Sequence, residues 1–145
     1  MDYYDYGCRR VEKKDIDFWK EIIEDKDTLS NMNISHIVER YNNFWEYLNR
    51  VERFTVYQFQ ETKETPIGGF SLYNRAEKEA TFGYVIHPEF RDQGLGHVLM
   101  NLLFDTCRDL GIKTLKADVY NDNKASLRVL ESNGFRKMDF LEKQL

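Results

Sequence analysis

Two prolines and two cysteines among 145 residues set the first limits on this chain. With no Pro/Ser-rich or low-complexity tract, nothing reads as a linker, and a single domain over residues 1–145 is expected. Cys8 and Cys107 have no metal-ligand spacing and no partner pattern. That argues against a metal site or a bridge and for two reduced, partly buried thiols in the cytoplasm. No apolar run approaches the ~20 residues of a membrane span. The opening Met1-Asp2-Tyr3-Tyr4-Asp5-Tyr6 lacks the pattern of a signal or transit peptide. An excess of positive charge is missing as well. Lys and Arg number 21 against 25 Asp and Glu, a net charge of −4, whereas nucleic-acid binding leaves the footprint of a basic face. The charges are mixed in sign and read as a soluble surface.

What is present is a normal core-forming share of apolar residues, 41% of the chain. Residues 8–12 read as a first strand, and Asp15 as the N-cap of a helix carrying Ile16, Trp19, Ile22 and Ile23. Ile34, Ile37, Val38, Tyr41, Phe44, Trp45, Leu48 and Val51 predict a second helix with one continuous apolar face. The period then changes. Residues 54–60, 67–73 and 80–86 are rich in β-branched and aromatic side chains, and the polar segments between them are short enough for antiparallel hairpins. A helix on Leu99, Leu102, Leu103, Cys107 and Leu110 is closed by Gly111. A strand at residues 113–120 and a last helix at residues 125–133, ending at Gly134, complete the pattern. Strand, helix, strand, helix after an antiparallel half implies a mixed α/β fold with helices on both faces of one sheet.

The most informative stretch is Arg91-Asp92-Gln93-Gly94-Leu95-Gly96, followed by His97 and the helix. Glycines let the backbone approach a ligand, and a helix N-terminus offers orphan N–H groups and a favourable dipole to an anion. There is no G-x-x-x-x-G-K-[ST] motif, which argues against a P-loop NTPase. The third glycine of a dinucleotide fingerprint is replaced by Leu99. A plain glycine turn that only starts a helix is the competing reading; the flanking segments weigh against it.

Those segments carry a resemblance. Arg91 to Gly96 matches the R/Q-x-x-G-x-G/A pattern between a strand and a helix. Gly83-Tyr84-Val85-Ile86-His87-Pro88-Glu89-Phe90 resembles the strand that leads into it. Asn123-Lys124-Ala125-Ser126 and Leu130-Glu131-Ser132-Asn133-Gly134-Phe135 resemble a second signature downstream, and Arg9-Arg10-Val11 with Asp15 the usual opening. The chain resembles the GNAT superfamily of N-acetyltransferases, most closely in pattern its ribosomal-protein-type members. The resemblance implies a mixed, mostly antiparallel sheet of about six strands, here with a shortened C-terminal strand region. It implies acetyl-CoA as co-substrate, its pyrophosphate on Gln93, Gly94, Leu95, Gly96 and His97, with Arg91 and Asp92 in the same loop. The pantetheine arm is expected along Tyr84, Val85 and Ile86, with Asn123 and Ser126 lining it. For Asn123, a turn and N-cap role is equally open.

Acetyl transfer to an amine needs a proton sink, an oxyanion donor and a departing thiolate. A main-chain N–H at Val85 or Ile86 is the expected oxyanion donor. The resemblance points to Asp118 as a base, on a strand side that faces either the cleft or solvent. Glu79 is a second candidate, although the family's usual glutamate position falls nearer Thr81. The tyrosine that acts as acid in many relatives is replaced by Leu130. Ser126 or Tyr120 substitutes for it, or the thiolate leaves unaided, its pKa near ~8.5 making it a fair leaving group. His87 reads as a surface turn residue, His97 as a phosphate neighbour or an exposed helix residue. Trp19 reads as core, Tyr41 and Trp45 as core or as walls of an acceptor pocket. Residues 135–145 leave room for one strand or a much shortened hairpin, so an incomplete sheet edge and a homodimer are expected. A non-catalytic CoA-binding or regulatory module is the alternative to the enzyme.

Overall fold

The structure, a computed structural model, describes residues 5–25, 41–117, 124–137 and 141–145. Among them a seven-stranded sheet runs in the order β1-β2-β3-β4-β5-β7-β6. Its strands are β1 (Asp5–Arg10), β2 (Glu52–Gln60), β3 (Lys63–Ala76), β4 (Glu79–Ile86), β5 (Thr114–Ala117), β6 (Arg136–Lys137) and β7 (Leu141–Gln144). The first four pair antiparallel as a meander, as the short polar connections predict. β4 and β5 pair parallel, which requires the crossover through α3 (Leu95–Asp109). The expected incomplete edge is not found. β7 pairs antiparallel with all four residues of β5, and the two-residue β6 ends the sheet.

The two faces are covered by different helices. On one face α3 lays down Leu95, Leu99, Met100, Leu103, Phe104 and Cys107, a stripe at helical spacing, against Val56, Phe70, Phe82 and Leu115. The last helix, α4 (Lys124–Ser132), adds Leu130 and the following Phe135 to this core. Leu110, expected on the stripe, is the helix C-cap and is 44% exposed. Gly111 follows at φ +78°, the left-handed stop anticipated for it.

The other face carries α1 (Ile16–Glu24) and α2 (Phe44–Asn49). Trp19, Ile22, Ile23, Tyr47, Leu48 and Val85 form its core. Gly69 makes room for Trp19: a Cβ there would stand 2.4 Å from the indole ring and 2.4 Å from the Phe54 carbonyl oxygen. The long second helix read from the apolar face is interrupted. Residues 41–43 form a bend, and α2 starts after Asn43, whose side chain accepts the Glu46 N–H at 2.8 Å. An Asx-type cap outcompetes continuation of the helix through Tyr41. The part of that face carried by Ile34, Ile37 and Val38 lies outside the described residues.

Candidate functional site

The glycine loop sits where the sheet changes from antiparallel to parallel. β4 pairs with β3 from Ala76–Glu79 through to Gly68–Ile86, but with β5 only from Glu79–Thr114 to Phe82–Ala117. Beyond Phe82, residues 83–86 therefore have a strand partner only on the β3 side among the described residues. The His87 N–H donates to the Ile67 carbonyl at 2.8 Å. Antiparallel alternation then turns the Val85 amide toward β3 and the Ile86 amide toward the opposite edge. Ile67 itself is the extra residue of a bulge, since Val56 faces Gly68 while Tyr57 faces Pro66.

From this strand end the chain makes a 3₁₀ turn, Pro88–Phe90, and reaches the loop. Asp92 has φ +62° and Gly94 φ +74°, two left-handed residues in three. Gly94 is the N-cap of α3 and supplies no side-chain cap bond, and a Cβ on it would meet nothing within 4 Å. The first amides of a 15-residue helix thus emerge beside open space, unshielded by a capping side chain. That arrangement suits a phosphate. The two glycines do different work. Gly96 instead faces α4, where an added Cβ would stand 3.3 Å from a Val129 methyl.

Three polar side chains of this segment, those of Gln93, Arg91 and His97, are bonded to other parts of the chain. Gln93 donates to the Glu89 carbonyl at 3.1 Å. Arg91 donates through Nε to the Ile86 carbonyl at 3.0 Å and through Nη1 to Asp25 Oδ2 at 3.2 Å. His97 is exposed and meets the Asn133 side chain. An anion at this helix end would meet chiefly main-chain amides.

His87 corrects an expectation. It is buried, at 8% exposure, and not a surface turn residue. Its ring stacks on Phe18 at 5.5 Å, Nε2 lies 2.8 Å from Glu21 Oε2, and Nδ1 accepts the Glu89 N–H at 3.2 Å. A nitrogen that accepts carries no hydrogen, so Nε2 is the protonated one and donates to Glu21. Both ring nitrogens are engaged, which leaves no lone pair for base catalysis. Glu79 is also eliminated as a base. It pairs with Lys116 at 3.2 Å at the start of β4, about 23 Å of strand away from Ile86.

Beneath α1 lies a polar cluster that sequence reasoning missed. Asp15, expected only as an N-cap, makes no cap bond to α1; it is the N3 carboxylate of a capping box with Glu12 and is almost fully buried. It accepts from Tyr57, from Thr55 at 3.1 Å, from Arg9 at 3.1 Å and from the Glu12 N–H at 2.9 Å. Thr55 in turn accepts from the Trp19 indole at 3.0 Å. Burial alone would raise the Asp15 carboxyl pKa; the bonds from Tyr57, Glu12 and Arg9 outweigh it and hold the group below its usual value. Nearby, Arg53 is buried against the Trp19 and Tyr47 rings and donates to the Leu48 carbonyl at 3.1 Å. Desolvation pulls its guanidinium down to about 10.

Tyr41 and Trp45, with Asn43, Glu46, Asn49 and Arg50, line an open groove of ≈ 540 Å³. All six come from residues 41–50, and among the described residues none of the glycine loop lines the groove. Both cysteines are free, as expected. Burial pushes both thiols up, Cys107 to about 12, which makes them poor nucleophiles. Of the expected catalytic residues, Asp118 and Tyr120 lie outside the described residues, as does Asn123. So does the side chain of Ser126, in the first turn of α4. Leu130 is fully buried in the core. Among the described residues no helix is long and apolar enough to cross a membrane.

Comparison with known proteins adds a family. The model of the acetyltransferase (GNAT) domain matches residues 8–136. The ribosomal protein bS18-alanine N-acetyltransferase of Escherichia coli is 32% identical over 90 residues, 61% of this chain and 60% of that protein. The match thus spans about three fifths of the length of this curated relative. A domain from Methanocaldococcus jannaschii superposes with a TM-score of 0.80 at 15% identity, covering 99% of this chain and 100% of that one. The spermidine N-acetyltransferase of Vibrio cholerae, solved with CoA and spermine, gives 0.75 at 23% identity, covering 92% and 82%.

Proposed function

The chain belongs to the GNAT acetyltransferases, and from that premise we propose that it moves an acetyl group from acetyl-CoA to a primary amine by direct attack in a ternary complex. The observation that carries the reading is the N-terminus of α3. A left-handed glycine caps a 15-residue helix without a side-chain bond, beside the length of β4 that has no β5 partner among the described residues. The amides of Gln93, Gly94, Leu95, Gly96 and His97 would hold the pyrophosphate. The edge of β4 at Tyr84 and Ile86 would take the pantetheine arm as an added strand.

In this reading the amine nitrogen attacks the thioester carbonyl, and the Ile86 N–H, turned away from β3, stabilises the oxyanion. The alternation of the strand favours Ile86 over Val85 for this role. Asp118, the residue after Ala117 of β5, is the proposed proton acceptor. With Leu130 buried in the core, no acid comes from that position. The thiolate leaves unaided or with help from Ser126 or Tyr120, and most of the rate comes from proximity and the oxyanion donor.

The Escherichia coli relative acts on an alanine of a ribosomal protein, and the Vibrio neighbour holds spermine. Both acceptor classes, peptide N-termini and small polyamines, therefore belong in the test, which assays free-CoA release from acetyl-CoA against such a panel. Release that depends on the amine supports the enzyme. Tight CoA binding with no turnover on any amine supports the non-catalytic module instead. The two free, raised thiols fit a reducing cytoplasm. Sedimentation at high concentration decides between a monomer and the expected homodimer.

A further inference from the structure

Glu21 and Asp25 stand four residues apart at the end of α1, and His87 and Arg91 stand four apart on either side of the 3₁₀ turn Pro88–Phe90. The two rows meet rung by rung. Glu21 Oε2 receives His87 Nε2 at 2.8 Å, and Asp25 Oδ2 receives Arg91 Nη1 at 3.2 Å. Each basic partner is also bonded into the strand exit. His87 Nδ1 accepts the Glu89 N–H, and Arg91 Nε donates to the Ile86 carbonyl.

The placement runs against local preference. α1 has no basic residue in its last turn, and Glu24 and Asp25 lie where the helix dipole disfavours negative charge. A local rule broken without a local gain points to a role elsewhere. Here the elsewhere is the three-dimensional link to the loop. The Arg91 fork spans from the last carbonyl of β4 to the cap of α1, and a planar guanidinium holds both ends in one geometry.

We infer that Glu21, Asp25, His87 and Arg91 are positioning residues for the anion loop. They fix the exit of β4 so that the Ile86 amide and the loop amides keep one relative placement. Arg91 acts through Asp25 and the Ile86 carbonyl, not as a phosphate ligand. The inference rests on the acetyl-CoA reading and deepens it.

A double-mutant cycle on the full chain tests it, with CoA affinity read by calorimetry and folding by thermal melts. D25A and R91A are each expected to weaken CoA binding about tenfold, and the double variant no further, since two ends of one link are not additive. E21A is expected to weaken it similarly, while E21Q, whose amide oxygen still accepts from His87, retains wild-type affinity. Equal affinity or tighter binding in D25A, with a loss confined to R91A, would make Arg91 a phosphate ligand and overturn the inference. So would lowered melting temperatures with unchanged CoA affinity, the mark of a purely structural link. If the wild-type chain binds no CoA, the acetyl-CoA reading fails and takes this inference with it. If wild type binds and D25A is unchanged, only the inference falls.

Discussion

The two faces of the sheet solve their polar problems in opposite ways. On the α3 face the chemistry is main chain: consecutive amides over a few residues, exposed by a left-handed glycine with no capping side chain. On the α1 face it is side chain, and the partners are far apart in sequence. Asp15 meets Tyr57 across 42 residues, Trp19 meets Thr55 across 36, and Glu21 and Asp25 each reach across 66. Removing a polar loop side chain such as Gln93 on the first face therefore touches little that holds the fold, while removing a polar one on the second leaves buried partners unsatisfied.

The sharpest way to break this contrast is Asp15→Asn. It takes the charge from a carboxylate that receives four donors, and a cost of about 3 kcal/mol is expected from breaking a buried charged network. Urea unfolding measures it. Because the folded pKa of Asp15 lies below its usual value, its contribution is present above the unfolded pKa near ~3.9 and is lost as pH falls through the folded value. The acid dependence of the urea midpoint in that window should flatten in the variant. A loss of CoA affinity with unchanged stability would put the cluster in the binding site instead.

Next in size is Gly69→Ala. Its Cβ would collide with a backbone carbonyl and with Trp19, an overpacking cost of about 1–3 kcal/mol visible in the melting temperature. On the other face, Gly94→Val places a branched residue at φ +74°, a strain of about 1–2 kcal/mol, and its main expected effect is on CoA binding. The smallest effect is expected for Gly96→Ala. The nearest atom is the tip of Val129 at 3.3 Å, which can rotate, and alanine's helix propensity offsets the crowding by about 1 kcal/mol. A net change within ~0.5 kcal/mol in melts would agree; a loss as large as that of Gly69→Ala would erase the distinction between the two faces.

This contrast also explains what was legible in the sequence. The glycine loop, the three hairpin strands and the α3 stripe are local patterns of period two or 3.6, and they were readable with boundaries off by a few residues. Asp15 was visible as a helix-start residue, but its partners on β2 are set by strand register, which no local pattern encodes. His87 looked like a turn residue because it precedes Pro88; its burial depends on Phe18 and Glu21 arriving from α1. The second helix was overextended because Tyr41 continues the apolar stripe, while Asn43 provides the competing cap. The C-terminal segment reads only as one strand or a much shortened hairpin, because β6 and β7 are too short to show a period; the structure has the hairpin.

The central claim is that the N-terminus of α3 binds the pyrophosphate of CoA through its main chain. Calorimetric titration of CoA into the wild-type chain and Gly94→Val measures it most directly. The account predicts saturable binding by wild type and at least a tenfold weaker Kd in the variant, both proteins remaining folded. No binding by folded wild type, or equal binding by both, would contradict it.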